Sequence, residues 1–430
     1  MSPIEMGVYI LNDIINNEIK NFFEIKNKNK KFIPGKTKIP LASPSYGYEE
    51  VVDALDSMLS TWVTMGEKVK IFEEKFCEYI GSENAIMVNS GSSANLLALS
   101  ILTNPLFDNK IEKGSSIITP AVTWATTVSP IVNVGCKPLF VDVDLDTLCI
   151  NTDLLEESIS EETSAVMPVH LMGHPCDMKK ISKIASENNL QLIEDSCEAH
   201  GASIDGKKVG TFGDIGTFSF YTSHHITTIE GGMLVTNNEN IAEIAKSLRT
   251  FGWARELKTK NEIHSKYSEI DPRFLFVNIG YNFRPTEIQG AFGRQQITKL
   301  DSLIHHRREN AKFWNERLVK HSDHLILPTR NLENHVYFGY AITIKENSQV
   351  SRKELTDYLE SKGIETRPIM AGNFTEQPVA KLIQSSKHGE LKNSKLIMRN
   401  SFFIGNHHAI LEEEREFVAN VFDEFFKQQQ

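Results

Sequence analysis

The sequence predicts an α/β protein in which a mostly parallel central sheet, with helices on both faces, is joined to a smaller C-terminal α+β domain. The chain of 430 residues is long enough for a large domain and a smaller partner. From about residue 48, helical stretches alternate with short apolar runs bounded by turns, as in parallel strands connected by helices. After about residue 285 this alternation ends, and a long helical pattern covers 286–320.

The predicted domains follow in chain order. Residues 1–47 are predicted to be an N-terminal helical arm, with apolar residues at helical spacing over 8–25 and a linker rich in lysine and asparagine at 26–31. Residues 48–300 are predicted to form the large α/β domain. Residues 301–430 are predicted to form the small α+β domain, with an apolar run at 336–345 and a helix near 351–362.

The elements predicted within the large domain are short helices and short buried strands. The helices are 49–60, 67–80, 94–102, 125–134 and 177–188. The strands are 85–89, 116–119, 138–144, 165–169, 190–195 and 216–221. In an open parallel sheet, ligands bind beyond the carboxyl ends of the strands, so functional residues are expected just after these runs.

The charge and the cysteines exclude several classes of function. Forty-six Lys and Arg residues against 56 Asp and Glu residues give a net charge of −10, which argues against general binding to nucleic acid or anionic membranes. No apolar run is long enough for a membrane span, and residues 1–20 lack the features of a signal peptide. The cysteines form no CxxC pair, so we expect reduced thiols, no structural zinc and a cytoplasmic protein. They are Cys77, Cys136, Cys149, Cys176 and Cys197.

Two predicted strand ends carry candidate ligand-binding residues. The segment N-S-G-S-S-A-N, 89–95, lies between a strand and a helix, where Gly91 allows close backbone approach and free amides bind phosphate. The alternative is an ordinary turn with a serine cap. Asp195 ends the run 190–195, where a carboxylate can keep a pyridine nitrogen protonated, or can serve as a solvated turn residue or helix cap. Trp124 follows another strand and can stack on an aromatic ring, or belong to the core.

The order of these motifs, G-S-S, W, E-D, S-F, E-G-G and G-Y-N-x-R, resembles the DegT/DnrJ/EryC1/StrS sugar aminotransferase family over about residues 40–430. The resemblance implies the type I fold of pyridoxal-phosphate enzymes, with 48–300 as the cofactor-binding domain. In that family the fifth residue after the motif serine, here Ser219, is the lysine that forms a Schiff base with the cofactor. This chain has His224 there, and no lysine lies between Lys208 and Lys246.

The histidine changes the chemistry that the resemblance implies. Imidazole cannot form a Schiff base with an aldehyde, so the cofactor must be held non-covalently, as pyridoxamine phosphate. Imidazole can still transfer a proton near neutral pH, as a general base does. The alternatives are a catalytically silent pseudo-enzyme that binds or regulates, and an aminotransferase that uses another lysine.

Further motifs resemble the histidine-containing subfamily of 3-dehydratases, which act on nucleotide-linked 4-keto-6-deoxyhexoses in deoxysugar and O-antigen biosynthesis. They are S-H-H-I-x-T-x-E-G-G (223–232), R-x-x-G-W-x-R (249–255), G-Y-N-x-R-P (280–285), R-P-I-x-x-G-N-F (367–374) and F-I-G-N-H-H (403–408). This resemblance implies a lyase for a GDP-linked 4-keto-6-deoxymannose, with CDP and dTDP sugars left open. Glutamate would regenerate pyridoxamine phosphate, and the active sites would be shared in a homodimer.

A second branch of this subfamily carries a two-iron cluster on four cysteines, the first of them in an E-D-x-C motif. This chain has Cys197 in E-D-S-C and no cysteine after it. One thiolate cannot replace the four that such a cluster needs. We therefore expect no iron–sulfur cluster and no metal.

The resemblance also implies a role for individual residues around the cofactor phosphate and the substrate. Gly91, Ser92 and Ser219 would hold the phosphate. Asn282 would reach it across the dimer interface. For the sugar nucleotide the candidates are Arg367, Asn406 and His407.

The ring of the cofactor would have its own set of contacts. Trp124 would stack on the pyridine ring, and Asp195 would pair with its nitrogen. Glu198 stands where the aminotransferases usually have glutamine, near the phenolic oxygen. His224 would be the catalytic residue.

Overall fold

The structure, a computed structural model, describes residues 3–28, 31–330 and 332–429 of the chain. Its helices, in chain order, are α1 (Pro3–Lys28), α2 (Tyr48–Leu59), α3 (Glu67–Ile80), α4 (Gly91–Leu102), α5 (Ala125–Asn133), α6 (Thr152–Glu157), α7 (Met178–Glu187), α8 (Glu239–Arg249), α9 (Lys260–Lys266), α10 (Glu287–Gln296), α11 (Leu300–Leu318), α12 (Arg352–Ser361), α13 (Lys392–Asn400) and α14 (Glu412–Gln428).

The strands are shorter than the helices, and three strands of the large sheet are buried over their whole length. They are β1 (Asn84–Val88), β2 (Ser116–Pro120), β3 (Lys137–Val141), β4 (Thr163–Val166), β5 (Gln191–Asp195), β6 (Ser203–Ile204), β7 (Lys207–Lys208), β8 (Ile215–Ser219), β9 (Gly232–Thr236), β10 (Leu325–Ile326), β11 (Tyr340–Ile344), β12 (Thr366–Pro368), β13 (Ser386–Lys387) and β14 (Ser401–Ile404).

The large sheet has the strand order β1-β9-β8-β5-β4-β2-β3-β13. Strands β8, β5, β4, β2, β3 and β13 pair in parallel, whereas β9 runs antiparallel to both β8 and β1. The predicted fold class, a mostly parallel sheet with a smaller α+β unit, is therefore confirmed. The smaller sheet is antiparallel, in the order β10-β11-β14-β12.

Helices cover both faces of the large sheet. Alternate residues of a strand point to opposite faces, so they pack against different helices. In β1, Ile86 and Val88 pack in a core cluster with residues of α4 and α8. Met87, between them, packs in a different cluster with residues of α3. Every residue of β2, β8 and β9 is buried, as expected for a sheet covered on both sides.

Several observed elements differ from the predicted ones. Strand β9 was not predicted, and β3 ends at Val141 instead of 144, because Asp142 turns away to bind the backbone of α13. The pattern over 286–320 divides into α10 and α11, separated by a 3-10 turn at Ile297–Lys299. Helix α1 extends beyond the predicted 8–25 into the predicted linker, whose residues 29 and 30 lie outside the described residues.

The C-terminal part has its own apolar core, built around Trp314 of α11, Tyr340 of β11 and Phe422 of α14. The N-terminal half of α11 packs instead in the cluster beneath β8 and β9, through Leu300 and Leu303. Helix α11 therefore connects the two cores. The domain boundaries proposed at 47/48 and 300/301 stay predictions.

A buried carboxylate, Asp142, fixes α13 to the large sheet. Its oxygens accept hydrogen bonds from the backbone N–H groups of Asn393 and Ser394, at 2.9 and 2.7 Å, and from the Ser394 hydroxyl. Asp142→Ala leaves these buried donors without their acceptor, so we expect a loss of about 1–3 kcal/mol in the free energy of unfolding. Urea unfolding measures it, with exposed Asp108→Ala as control; equal midpoints for both variants would contradict the assignment.

Candidate functional site

The turn between β1 and α4 lies close against the end of β8. Ser90 caps α4, its hydroxyl accepting a hydrogen bond from Ser93 N at 3.1 Å. A Cβ atom on Gly91 would lie 2.4 Å from Ser219 Cβ, and one on Gly232 would lie 2.3 Å from Ser90 O. The first N–H groups of α4 and the Ser219 hydroxyl therefore share one small region, which is suited to a phosphate or another anion.

Asp195, at the end of β5, is held by donors from two helices. Its Oδ2 atom accepts hydrogen bonds from Asn95 Nδ2 of α4 at 2.9 Å and from Thr127 Oγ1 of α5 at 2.8 Å. Its Oδ1 atom accepts one from Cys197 N at 3.2 Å. The carboxylate is 5% exposed, so its orientation is fixed before any ligand binds.

A cavity of about 790 Å³ lies at this edge of the sheet. It is lined by eight of the eleven residues that the sequence analysis proposed for the site. These are Gly91, Ser92, Trp124, Asp195, Glu198, Ser219, His224 and Arg367. Trp124 precedes α5 and is 56% exposed, so its ring lies against the open space and not in the core.

His224 lies in a tight turn after β8, where its backbone N–H group donates a hydrogen bond to Tyr221 O at 2.9 Å. Its ring packs edge-to-face against Phe338, with centroids 5.2 Å apart, and Nδ1 is buried without a hydrogen-bonding partner among the described residues. Burial, and then the charge of Arg307, lower the pKa of His224 to about 3. The imidazole is therefore neutral at neutral pH.

Glu198 is the second unusual titratable group in the cavity. Burial raises its pKa to about 8, and the charge of Asp195 adds to the rise, although a 2.7 Å hydrogen bond from Met172 N opposes it. The side chain is therefore mostly a neutral carboxylic acid at pH 7. In that form it can donate one hydrogen bond as well as accept others.

Three proposed residues do not line the cavity of this chain. Asn282 is exposed, and its Oδ1 atom accepts a hydrogen bond from Arg284 at 3.1 Å. Asn406 is fully buried and exchanges hydrogen bonds with Arg307. His407 donates from Nε2 to Pro40 O at 3.1 Å. The last two side chains thus serve internal contacts and not the open space where we expected them.

Several residues of the site were not predicted. Asn95, in the quoted motif 89–95, and Thr127, in the predicted helix 125–134, hold Asp195 but received no role. For Asn95, the available signal was an amide side chain directly before the apolar run 96–99 of α4. Leu41 and Phe338 also line the cavity, yet they come from distant parts of the chain, and no local pattern places them there.

The described residues contain no cluster of three or more His, Cys, Asp or Glu side chains arranged to hold a metal ion. The five cysteines, all within the described part, are free thiols, and Cys197 lines the cavity. Among the helices described, none is both long and apolar enough to cross a membrane.

The fold and this site are those of a pyridoxal-phosphate-enzyme scaffold, and comparison with known proteins identifies the class. The DegT/DnrJ/EryC1/StrS aminotransferase family profile matches residues 45–423. The chain belongs to this family.

Within the family the chain is similar to dehydratases. It is 40% identical over 391 residues to the GDP-4-keto-6-deoxy-D-mannose 3-dehydratase of Escherichia coli O55:H7 (strain CB9615 / EPEC), covering 89% of this chain and 98% of that protein. The solved structure of the E. coli enzyme with bound hydrated PLP matches with a TM-score of 0.84 and 38% identity, over 90% of this chain and 99% of that one. A structure of GDP-4-keto-6-deoxymannose-3-dehydratase with a trapped PLP-glutamate geminal diamine gives the same values over 89% and 99%.

The raised pKa of Glu198 is open to a direct test. Since its pKa is about 8, its carboxyl group is protonated at pH 6 and ionised at pH 9.5. Infrared difference spectra of the cofactor-free protein should show a carboxylic acid C=O band that disappears with a midpoint near pH 8 and is absent from Glu198→Gln. Glu230→Gln, at an exposed position of the same cavity, is the control. A band that Glu198→Gln retains would show that another group titrates.

Proposed function

We propose that this protein is a lyase, a 3-dehydratase of a nucleotide-linked 4-keto-6-deoxyhexose, with GDP-4-keto-6-deoxymannose as its first expected substrate. One observation carries the proposal: the turn after β8 presents His224 to the cavity, beside Asp195 and Ser219, and none of the described residues lining that cavity is a lysine. An aminotransferase of this family needs a lysine at that place. The identity of 40% to a 3-dehydratase supports the same conclusion.

The residues of the cavity fit pyridoxamine or pyridoxal phosphate held without a covalent bond. The N-terminus of α4 at Gly91 and Ser92, together with Ser219, would bind the phosphate. Trp124 would cover one face of the ring, and Asp195 would neutralise its protonated nitrogen.

Glu198, as a neutral acid, would donate a hydrogen bond to the phenolic oxygen, as the amide of a glutamine does in the aminotransferases. This assignment explains why a carboxyl group can replace an amide there. A charged carboxylate would instead repel the phenolate.

When bound, pyridoxamine phosphate supplies an amine for the C4 ketone of the sugar and a ring that accepts an electron pair. His224 would transfer the proton: since its Nδ1 atom is buried, the neutral Nε2 atom would take a proton from the carbon that bears the cofactor's amine. The same nitrogen then gives the proton to the C3 hydroxyl, which leaves as water. A weakly basic imidazole suits the second step, because its conjugate acid is strongly acidic.

Glutamate would restore the amine form of the cofactor, as the trapped glutamate adduct in the similar structure suggests for that enzyme. We expect a cytoplasmic homodimer in which Asn282, exposed in the single chain, reaches the phosphate of the neighbouring site. Arg367, at the exposed rim of the cavity, is the remaining candidate for the sugar nucleotide. The reaction needs no iron and no reductase.

The activity test uses a panel of GDP-, CDP- and dTDP-linked 4-keto-6-deoxyhexoses with cofactor and glutamate. A dehydratase gives a sugar that has lost one oxygen atom, together with ammonia and 2-oxoglutarate. An aminotransferase instead gives a sugar with an amino group in place of the ketone oxygen. Mass spectrometry separates the two, and a protein that turns over no member of the panel contradicts the proposal.

His224→Asn is expected to lower the dehydration rate by about 10²–10⁴, the usual cost of losing a general base. Cofactor binding should change little, because the phosphate, ring and nitrogen contacts come from other residues. Steady-state assays and cofactor titration measure the two effects, with His305→Asn, on the exposed side of α11, as control. A rate within about threefold of wild type would mean that another group transfers the proton, and the adjacent His225 would be examined first.

No covalent bond between cofactor and protein is expected. Borohydride reduction of the cofactor-loaded protein, followed by mass spectrometry, should return the unmodified chain mass. His224→Lys, which restores a lysine at the family's position, is the positive control and should gain the cofactor mass. A lysine adduct in the wild-type chain would favour the aminotransferase alternative.

A further inference from the structure

Arg307, on α11, is a buried cation bound to backbone oxygens. It is 4% exposed, and its Nη1 atom lies within hydrogen-bonding distance of the carbonyls of Tyr337 (3.1 Å), Phe338 (2.8 Å) and Asn406 (2.5 Å). Burial lowers its pKa to about 9, so it is still charged at pH 7. Within the described part of the chain, no carboxylate forms an ion pair with it. Its positive charge is therefore compensated by carbonyl dipoles and not by an opposite charge.

The motif F-I-G-N-H-H, which the proposed function does not use, holds this arginine in place. Asn406 Nδ2 donates back to Arg307 O at 3.0 Å, while Asn310 Nδ2 donates to Asn406 Oδ1 at 3.2 Å and to His407 O at 3.1 Å. The segment after β14 and helix α11 are thus joined by reciprocal hydrogen bonds around the guanidinium.

The contacts of Arg307 lead to His224 through Phe338. The guanidinium binds the Phe338 carbonyl, and the Phe338 ring packs against the His224 ring at 5.2 Å. The carbonyl of Val336, two residues before Phe338, accepts a 2.9 Å hydrogen bond from His225 Nε2. One arginine therefore fixes the segment against which both histidines pack.

Two further titratable side chains lie close to the His224 ring, and several carboxyl groups line the same cavity. His200, in the turn after β5, lies 6.1 Å from it between ring centroids, and Tyr221, in the same turn as His224, lies 6.3 Å away. Burial holds the pKa values of His200 and His225 well below the ordinary value, so both are neutral. The carboxyl groups lining the same cavity are Asp195, Glu198, Glu230 and Glu365.

We propose that Arg307 is a positioning residue that holds Phe338 against His224 and places a buried positive charge behind this contact, which adds to the effect of burial in disfavouring a charge on the imidazole before it accepts a proton. The inference rests on the proposed proton transfer by His224. A proton on His224 lies near a second buried cation, so its transfer to the departing C3 hydroxyl is favoured. The oxygen leaves as water, and the imidazole returns to its neutral form.

The test compares Arg307→Gln, which removes the charge but keeps hydrogen-bond donors, with Arg307→Lys, which keeps the charge. The acid limb of the kcat profile should move to higher pH by about one unit in the glutamine variant, because the pKa of His224 rises when the cation is lost while the larger effect of burial remains. In the lysine variant the limb should stay where it is in wild type. Arg308→Gln is the matched control, since Arg308 also binds a carbonyl, that of His335, from the same helix.

A purely structural role for Arg307 would give a different result, with kcat reduced in both variants and the limb unmoved. That outcome would overturn the inference. If Arg307→Gln does not fold, comparison of wild type with Arg307→Lys and Arg307→Met provides the same test.

Titration of His224 by NMR separates this inference from the proposed function. With 13C-labelled histidine, and His224→Asn to assign the signal, His224 in the wild-type protein should show no titration between pH 6 and 8. Titration near the ordinary value of about 6.5 would overturn the inference even in an active dehydratase. A flat wild-type signal that begins to titrate at higher pH in Arg307→Gln would support it, even if no substrate of the panel is turned over.

Discussion

The site depends on one buried amide, that of Asn95. Its Nδ2 atom donates to Asp195 Oδ2 and to Thr126 O, and its Oδ1 atom accepts a 2.6 Å hydrogen bond from Thr217 Oγ1. One side chain of α4 therefore joins α5, β5 and β8, the elements whose ends carry the other site residues. Asn95 is 1% exposed, so these bonds do not compete with water, and the loss of any one leaves a buried polar atom without its partner. The relative position of the turn before α4 and the Asp195 carboxylate follows from this arrangement.

Much of the site could be predicted from sequence because its residues follow strands that are short, apolar and bounded by turns. The ends of β1, β5 and β8 carry Gly91, Asp195 and Ser219, and topology brings these ends to one edge. Strand β9 was missed because it begins at Gly232, a residue that weakens any strand pattern. The structure shows why glycine is needed there: Ser90 O occupies the space of a side chain.

The remaining differences between the expected and the observed positions have physical causes that local sequence does not contain. The 3-10 turn between α10 and α11 keeps Ile297, Leu300 and Leu303 on the apolar side, so the helical pattern continues through the break. Asn406 and His407 were proposed as ligand contacts, but a buried polar side chain can equally bind its own backbone. Only their tertiary neighbours, Arg307 and Pro40, show which of the two applies.

Replacement of a lysine by a histidine separates two tasks that one residue performs in the aminotransferases of this scaffold. A lysine both anchors the cofactor and transfers protons, whereas His224 can only transfer protons. Anchoring would then depend entirely on non-covalent contacts, which we propose to come from the large sheet and its helices, through Ser219 and Asp195. Proton transfer would depend on a neutral, fixed imidazole, which we propose to be supported by other elements, through Phe338 and α11. Since the two sets of contacts share no side chain, the proton-transferring residue can change without loss of the cofactor site, and a family of aminotransferases can give rise to a dehydratase.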